Sequence, residues 1–428
     1  MPIRDADLLG HGNPGYRVWH YDLELAYKPS TGRLSGTAKV SAVAEESLPA
    51  FALDLGPFRV DRLTVDGRPA RWTHRAGKLR VRIGRTVPRG SLFSVELRYA
   101  GRPAPVRTRY WGDVGWDELT DGAIVASQPV GAPTWFPCND RVADKATFRV
   151  GLTVPSDYTV LASGVLASQL PSGTTTRWEY VQDAPTAPYL ATVQIGRYES
   201  VRLAEGQHAA VPRARLRAFR HDFGRQPAMM ALFTDLFGPY PFEEYGVVVT
   251  DDELEVPVEA QGLSIFGANH VDGRRSFERL VAHELAHQWF GNSVGLASWQ
   301  DIWLNEGFAA YAEWLWSERS GGSPAAAIAA VTRTRLATEP QDLAIGDPSA
   351  EHMFDDRVYQ RGALTLHALR EVVGDRAFFA LLREWTGTHH HATATTDAFI
   401  ATAQRHTPVD LDPLFAMWLF EPALPPVG

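Results

Sequence analysis

A pair of histidines four residues apart, followed at a distance by a glutamate, constrains this chain more than any other feature. The pair lies in the run His-Glu-Leu-Ala-His at 283–287, and Glu306 follows after eighteen intervening residues. On a helix, residues four apart share one face, so His283 and His287 point both imidazoles at the same spot. Two imidazoles and one carboxylate are the protein ligands of a catalytic zinc, whose fourth position stays open for water. We therefore predict one zinc ion per chain, bound by His283, His287 and Glu306.

The spacing before Glu306 favours two consecutive helices. It is long enough to finish the first helix, turn near Gly291 and begin a second helix whose first turn carries Glu306 back to the metal. Glu284, next to His283, is predicted to act as the general base on the water. The alternative is a charged, solvated helix face. Apolar flanks argue against it, because they make the helix buried on most sides: Val281, Ala282, Leu285, Ala286, Trp289 and Phe290.

Length and composition limit the classes of protein that remain. A chain of 428 residues is expected to form two or three domains, and its 45% hydrophobic and 21% charged residues are typical of a soluble globular protein. The net charge of −8 is spread along the chain, so neither nucleic acid nor an anionic membrane is an expected partner. Cys138 is the only cysteine, and residues 1–10 have no apolar stretch of signal-peptide length. Both observations favour a cytoplasmic protein.

The chain changes character near residue 205. Between about 15 and 200, apolar residues alternate with polar ones at the period of half-buried strands, as at the odd positions of 19–27. After about 205, we expect a helical stretch up to Phe237, a break at Gly238, a short apolar strand at 246–249, and mainly helices from Ser276 onward. The prediction is an α+β protein with an all-β domain at 1–204 and a mainly helical, metal-binding domain at 205–428.

These residues together resemble the gluzincin aminopeptidase family, which contains aminopeptidase N and the leukotriene-converting hydrolase. The resemblance extends over nearly the whole chain, with the zinc block as its most specific part. The matching segments are 135–140, 145–148, 237–242, 283–292, 303–309 and 358–364. The resemblance implies an N-terminal β saddle followed by a thermolysin-like catalytic domain. It also implies a short two-domain member that lacks the C-terminal helical domain of longer relatives.

The resemblance also implies roles for residues outside the zinc block. Tyr359 lies in Tyr-Gln-Arg-Gly, similar to the family's Tyr-x-Lys-Gly, where the tyrosine hydroxyl supports the oxyanion. Glu259 matches the glutamate of the family's Gly-Ala-Met-Glu-Asn segment, which binds the substrate's α-ammonium and fixes the cut after the first residue. The neighbouring Val258 and Ala260 depart from that segment, which leaves the first side-chain pocket undefined. Gln128 corresponds to a second contact to the amine.

Three functional hypotheses follow from these residues. The first is a zinc aminopeptidase acting on peptides with a free N-terminus. The second is a thermolysin-like endopeptidase using the same zinc, since the amine-binding segment departs from the family around Glu259. The third is a non-catalytic peptide-binding scaffold on this fold. A ligating histidine normally donates its other N–H to a carboxylate or carbonyl. Asp301 and Glu313 are both candidates for that partner.

Overall fold

The computed structural model describes residues 10–426, which form two compact units. The first, called the β unit, comprises residues 10–216 and 242–269. The second, called the helical unit, comprises residues 217–241 and the described residues from 270 onward. The predicted domain boundary after residue 204 falls in the turn of a hairpin within the β unit, and the division into 1–204 and 205–428 stays a prediction. The segment 1–9, part of the stretch expected to lack a signal peptide, lies outside the described residues.

The β unit is built from twenty-one strands. In chain order they are β1 (Tyr16–Lys28), β2 (Arg33–Ala44), β3 (Leu48–Asp54), β4 (Arg59–Val65), β5 (Arg68–Pro69), β6 (Arg71–Arg75), β7 (Lys78–Val87), β8 (Leu92–Gly101), β9 (Val106–Arg107), β10 (Asp113–Leu119), β11 (Gly122–Ala126), β12 (Ala146–Pro155), β13 (Thr159–Ala162), β14 (Val165–Ser172), β15 (Thr175–Thr186), β16 (Val193–Gly196), β17 (Tyr198–Ala204), β18 (Gln207–Pro212), β19 (Tyr245–Val249), β20 (Val258–Ala260) and β21 (Leu263–Phe266).

Four sheets organise these strands. The largest has the order β14-β15-β12-β1-β2-β8-β4-β5, with β1 and β12 parallel and the other neighbours antiparallel. A five-stranded sheet, β13-β16-β11-β10-β9, and a three-stranded sheet, β3-β7-β6, complete the N-terminal part. A second five-stranded sheet, β17-β18-β19-β21-β20, contains the parallel run β18, β19 and β21. The strands expected between 15 and 200 are therefore present.

Alternation along β1 creates the central contact of the β unit's core. Tyr21 is fully buried, stacks on Phe148 at a ring-centroid distance of 4.8 Å and meets the edge of Phe136 at 5.3 Å. Both phenylalanines belong to segments that carry the family resemblance. Trp19 departs from the predicted alternation, because the pairing of β1 with β2 shifts register between Val18 and His20 and leaves the indole half exposed.

A buried polar network includes Asn139 and Asp140 of segment 135–140 and the nearby Asp144. The Asn139 side-chain amide donates to Asp144 at 2.6 Å, and the Val18 backbone N–H donates to the same carboxylate at 3.2 Å. His11 Nδ1 lies 2.8 Å from Asp140 Oδ2. Asn139, Asp140 and Asp144 are all buried. The network therefore attaches the beginning of the described chain to the loop before β12.

The change of character near residue 205 begins later than the sequence suggests. Residues 207–212 form β18, which pairs with β17 across a tight turn at Gly206, where φ is 65°. The first helix begins only at Leu216. The expected break at Gly238 and the apolar strand that follows are confirmed, as helix Gln226–Phe237 and strand β19.

The helical unit contains nine α-helices among its described residues. They are α1 (Leu216–Asp222), α2 (Gln226–Phe237), α3 (Glu278–Ala286), α4 (Trp303–Arg319), α5 (Ala325–Leu336), α6 (Asp356–Val373), α7 (Asp375–Thr388), α8 (Thr396–Gln404) and α9 (Asp412–Phe415). Two short parallel strands, β22 (Gly295–Leu296) and β23 (Thr393–Ala394), pair beside them. None of the helices between residues 10 and 426 combines the length and hydropathy that a membrane span requires.

Aromatic packing supports the segment that carries the histidines. The Trp289 indole N–H donates to the carbonyl oxygens of Gly238 and Pro239 at 3.0 and 3.1 Å. Phe290 stacks on Phe308 of α4 at 4.4 Å and meets the edge of Phe237 of α2 at 5.0 Å. These rings are buried, so α2, α4 and the residues that follow α3 share one packed core.

Candidate metal centre

The three predicted metal ligands converge in the structure. His283 lies in the last turn of α3, His287 is the capping residue that ends it, and Glu306 lies in the first turn of α4. Their ligand atoms all lie within 4.8 Å of one another, and all three residues are buried. The predicted arrangement of two helices joined by a turn is therefore present.

The distances from Glu306 to the two histidines fit a tetrahedral zinc. Glu306 Oε2 lies 3.6 Å from His283 Nε2 and 3.4 Å from His287 Nε2. Two ligands about 2.0–2.1 Å from a zinc at the tetrahedral angle lie roughly 3.3 Å apart. The donor set of two imidazoles and a carboxylate is also one of the sets that catalytic zinc sites use. Residues and spacing therefore both match this metal.

Each histidine is oriented through its other ring nitrogen. His283 Nδ1 lies 2.8 Å from Glu313 Oε1, and His287 Nδ1 lies 3.1 Å from the Phe290 carbonyl oxygen. A carbonyl only accepts, so the Nδ1 of His287 carries the proton and its Nε2 is left for a metal. Glu313 fixes His283 in the same way and also accepts from Arg279 at 3.2 Å.

The structure decides between the two acidic candidates for the partner of a ligating histidine. Asp301 accepts from the Thr396 backbone N–H at 2.9 Å and from its hydroxyl at 2.8 Å. It therefore holds the start of α8. Glu313 follows Glu306 by seven residues on α4, which is two helical turns, so both carboxylates lie on one face of that helix. This spacing is a sequence signal that points to Glu313.

The charges around the two imidazoles favour a cation. Burial alone would raise the pKa of Glu306, but the imidazoles of His287 and His283 outweigh it and lower that pKa to about 2. Burial alone would lower the pKa of His283, but the hydrogen bonds that its ring donates to Glu306 and Glu313 raise that pKa well above its ordinary value. Glu306 is therefore ionised, as a metal ligand has to be, and the site attracts positive charge.

The predicted base and oxyanion donor lie in the same unit as the ligands. Glu284 is buried on α3 beside His283. Tyr359 lies in the first half of α6, which Asp355 caps by accepting from the Arg357 backbone N–H at 2.9 Å. The Tyr359 ring stacks on the His283 ring at a centroid distance of 6.0 Å and an interplanar angle of 16°. The roles assigned to both residues stay predictions.

Arg361, two residues after Tyr359, was not singled out in the sequence. Its buried guanidinium donates to the carbonyl oxygens of Trp418 and Met417 at 2.8 and 2.9 Å. It also donates to the carbonyl oxygens of Leu343, Pro422, Glu421 and Ala423. Arg361 therefore attaches the last described segment to α6. An arginine at the lysine position of Tyr-x-Lys-Gly is the signal that marks it.

The two residues predicted to bind an amine contact each other within the β unit. Gln128 Nε2 donates to Glu259 Oε1 at 2.7 Å. Glu259 is buried on β20, opposite Ser264 of β21. The pair joins a loop that follows β11 to an edge strand of the mixed sheet. Their assignment to the substrate's amine stays a prediction.

Comparison with known proteins identifies the family. Residues 222–418 match the family described as Peptidase family M1 domain. The crystal structure of an M1 zinc metallopeptidase from Deinococcus radiodurans is similar with a TM-score of 0.89 and 32% identity, covering 100% of this chain and 99% of that one. A mutant M1 zinc metallopeptidase from that bacterium, bound to a Tyr-Ser-Ala substrate, gives a TM-score of 0.88 and 32% identity over 97% and 96% of the two chains.

A curated relative is longer. Aminopeptidase M1-D of Oryza sativa is 24% identical over 73% of this chain. The matched region makes up only 38% of that longer protein. The solved relatives confirm the predicted fold class, a β-rich N-terminal domain followed by a helical catalytic domain. They also confirm the resemblance to a two-domain zinc peptidase. At 32% identity over 99% of a solved relative, the chain belongs to the M1 family of zinc metallopeptidases.

Proposed function

We propose that this chain is a zinc aminopeptidase that releases the N-terminal residue of peptides. The convergence of His283, His287 and Glu306, with ligand atoms within 4.8 Å of one another, carries the proposal. Solved relatives bound to Tyr-Ser-Ala, L-tryptophan and L-arginine support a peptide as substrate and an amino acid as product. In this proposal His283, His287 and Glu306 hold one zinc ion.

Glu284 moves the proton in the proposed reaction. Zinc, when bound, lowers the pKa of a coordinated water to about 7 and polarises a carbonyl oxygen. The Glu284 carboxylate accepts a proton from the attacking water and then delivers it to the nitrogen of the leaving amine. Its position supports this role, since Glu284 is buried on α3 directly beside the proposed ligand His283.

Tyr359 stabilises the negative oxygen that forms when water adds to the carbonyl. Its phenolic O–H donates a hydrogen bond to that oxygen, a contact that is strongest in the transition state. The stacking of Tyr359 on His283 at 6.0 Å supports the proposal, because it holds the phenol beside a metal ligand.

Glu259 and Gln128 bind the α-ammonium of the substrate in this proposal. An ammonium has three N–H donors and needs oxygen acceptors. The Glu259 carboxylate and the Gln128 amide oxygen are such acceptors. The Gln128 amide N–H donates to Glu259 at 2.7 Å, which supports a preformed site by fixing both side chains. A negative carboxylate also selects a charged amine over a blocked one.

Glu284→Gln tests the proposed chemistry. We expect a full complement of zinc and a loss of roughly 10³-fold or more in kcat on aminoacyl p-nitroanilides, since an amide cannot accept the proton. Glu278→Gln is the matched control on the same helix, because Glu278 pairs with Arg225 at 3.0 Å and has no part in the reaction. Retained activity in Glu284→Gln would reject Glu284 as the base.

Blocking the substrate's amine separates the two peptidase hypotheses. We expect an N-acetylated peptide to lose most turnover relative to the free peptide, because Glu259 then has no ammonium to bind. Equal turnover on both peptides would instead favour a thermolysin-like endopeptidase, to which the departures at Val258 and Ala260 also point. No turnover on either, with zinc bound, would favour a binding scaffold.

We also propose a cytoplasmic location, with peptides that have a free N-terminus as partners. A single, buried cysteine is compatible with a reducing compartment. The net charge of −8 without a basic cluster argues against nucleic acid or anionic membrane as a partner.

A further inference from the structure

Helices α4 and α6 cross at two glycines. A Cβ atom built on Gly362 would lie 2.7 Å from the Gly307 Cα, and one built on Gly307 would lie 2.8 Å from the Gly362 Cα. Real Cβ atoms essentially never approach below 3.0 Å. The atoms in the way are backbone atoms, which cannot rotate aside as a side chain can. Any side chain at either position therefore forces the helices apart.

Neither glycine is required for backbone conformation. Both lie inside α-helices, and neither has a positive φ. In a helix interior, glycine costs about 0.5–1 kcal/mol relative to alanine. The gain that offsets this cost is the close approach of the two backbones.

The crossing is directly joined to the candidate metal centre. On α4, Gly307 follows Glu306, a proposed ligand. On α6, Gly362 lies three residues after Tyr359, close to one turn along the same face. The distance between the two helices at this point therefore sets the distance from Tyr359 to the metal ligands.

The other contacts between α4 and α6 are more adaptable. Tyr311 Oη lies 3.2 Å from His367 Nδ1, and Arg370 donates to Glu318 at 3.1 Å. Both contacts lie farther along the helices and involve long side chains, which absorb a small shift by rotating. The glycine pair is a direct backbone contact with no such freedom.

We propose that Gly307 and Gly362 are positioning residues, whose contact fixes the reach of the Tyr359 hydroxyl toward the oxyanion. This inference rests on the proposed function. Ordinary van der Waals contact begins at 3.4 Å, against 2.7 Å for a Cβ on Gly362. An alanine there displaces α6 by about 0.7 Å if the helices separate rigidly. A misplacement of about 1 Å at a reacting centre can cost roughly 10²-fold in rate.

Gly362→Ala tests the inference, with Gly387→Ala as the matched control. Gly387 lies inside α7, and a Cβ there would meet nothing within 4 Å. We expect Gly387→Ala to keep kcat and to hold or raise the thermal midpoint, because alanine is the better helix former. We expect Gly362→Ala to lower kcat by about 10-fold or more, with zinc content intact and KM changed by less than about 3-fold.

A double-mutant cycle with Tyr359→Phe separates positioning from general damage. If Gly362 acts through the Tyr359 hydroxyl, Gly362→Ala should cost less than about 2-fold in kcat in the Tyr359→Phe background. An equal loss in both backgrounds, or full kcat in Gly362→Ala, would overturn the inference. If Gly362→Ala does not fold, Gly307→Ala takes its place in the cycle. If that variant also unfolds, the glycines serve the fold as a whole and the inference is again overturned.

Failure of the proposed function would be visible first. An unmodified chain with bound zinc and no turnover on free or blocked peptides rejects the peptidase itself. An active chain in which Tyr359→Phe retains full kcat rejects the role of Tyr359, and the positioning inference with it. If the unmodified chain is active and Tyr359→Phe lowers kcat, the proposed function stands. The double-mutant cycle with Gly362→Ala then tests the positioning inference by itself.

Discussion

Removing the carboxylate of Glu313 should weaken zinc binding without removing a ligand. Glu313 accepts from His283 Nδ1 at 2.8 Å and is well buried, with 11% of its side chain exposed. It thereby fixes the tautomer and the orientation of the ring whose Nε2 would bind the metal. Glu313→Gln keeps an acceptor oxygen in place but loses the negative charge, whereas Glu313→Ala loses both.

The contact suggests the size of each effect. A buried hydrogen bond to a charged group contributes about 1.5–3 kcal/mol, roughly twice a neutral one. Glu313→Gln should therefore lose about 1.4 kcal/mol of zinc binding, which is about 10-fold in Kd. Glu313→Ala should lose about 2.7 kcal/mol, or about 100-fold. The ion pair with Arg279 adds little, because 64% of the arginine side chain is exposed.

Competition with a chelating indicator measures the zinc Kd of both variants directly. Glu318→Gln is the control, since Glu318 lies on the same helix and pairs with Arg370 rather than with a ligand. We expect the order wild type, Gln, Ala from tightest to weakest, with the control at the wild-type value. Equal affinity in wild type and Glu313→Ala would refute the orienting role of Glu313.

Two further predictions concern stability. Arg361→Lys should lower the free energy of unfolding by about 2 kcal/mol or more, because an ammonium has three donors where the guanidinium has five. Arg383→Lys is the control, because Arg383 is exposed. Equal thermal midpoints in Arg361→Lys and in this control would contradict the prediction. Burial raises the pKa of Asp144 to about 7, against hydrogen bonds from Asn139 and Val18 that lower it. Between about pH 4 and pH 7, the folded state therefore keeps a proton on Asp144 that the unfolded chain releases. The contribution of this proton to the free energy of unfolding is complete below about pH 4 and is lost as the pH rises to about 7. Asp144→Asn should flatten that fall in denaturation midpoints, and an unchanged slope would count against it.

Local periodicity explains why the convergence of the three proposed ligands could be predicted from the sequence. His283 and His287 are brought together by the helical repeat alone, and Glu306 needs only a turn and the start of the next helix. Helix α3, the break after it and α4 follow these expectations. The same repeat links Glu306 to Glu313, yet Asp301 remained an equal candidate. Only the tertiary structure shows that Asp301 accepts hydrogen bonds from Thr396 instead of from a histidine.

Features that depend on distant parts of the chain were not accessible in this way. The contact of Gly307 with Gly362 joins residues far apart in sequence, and a glycine in a helix gives no hint of what approaches it. Arg361 stands out in the sequence only as an arginine at the lysine position of Tyr-x-Lys-Gly, and its partners are backbone carbonyls, which have no signature in sequence. The hairpin of β17 and β18 was missed because its second strand is short and precedes a helix directly.

The spacing along α4 and α6 explains why so much depends on these two helices. On α4, the proposed ligand Glu306, the crossing residue Gly307 and the orienting residue Glu313 lie within eight consecutive residues. On α6, Tyr359, Arg361 and Gly362 lie within four. A rigid helix couples every group along it, so a shift that relieves strain at one position moves the others. The two helices therefore tolerate changes in their exposed side chains far better than any change in their separation.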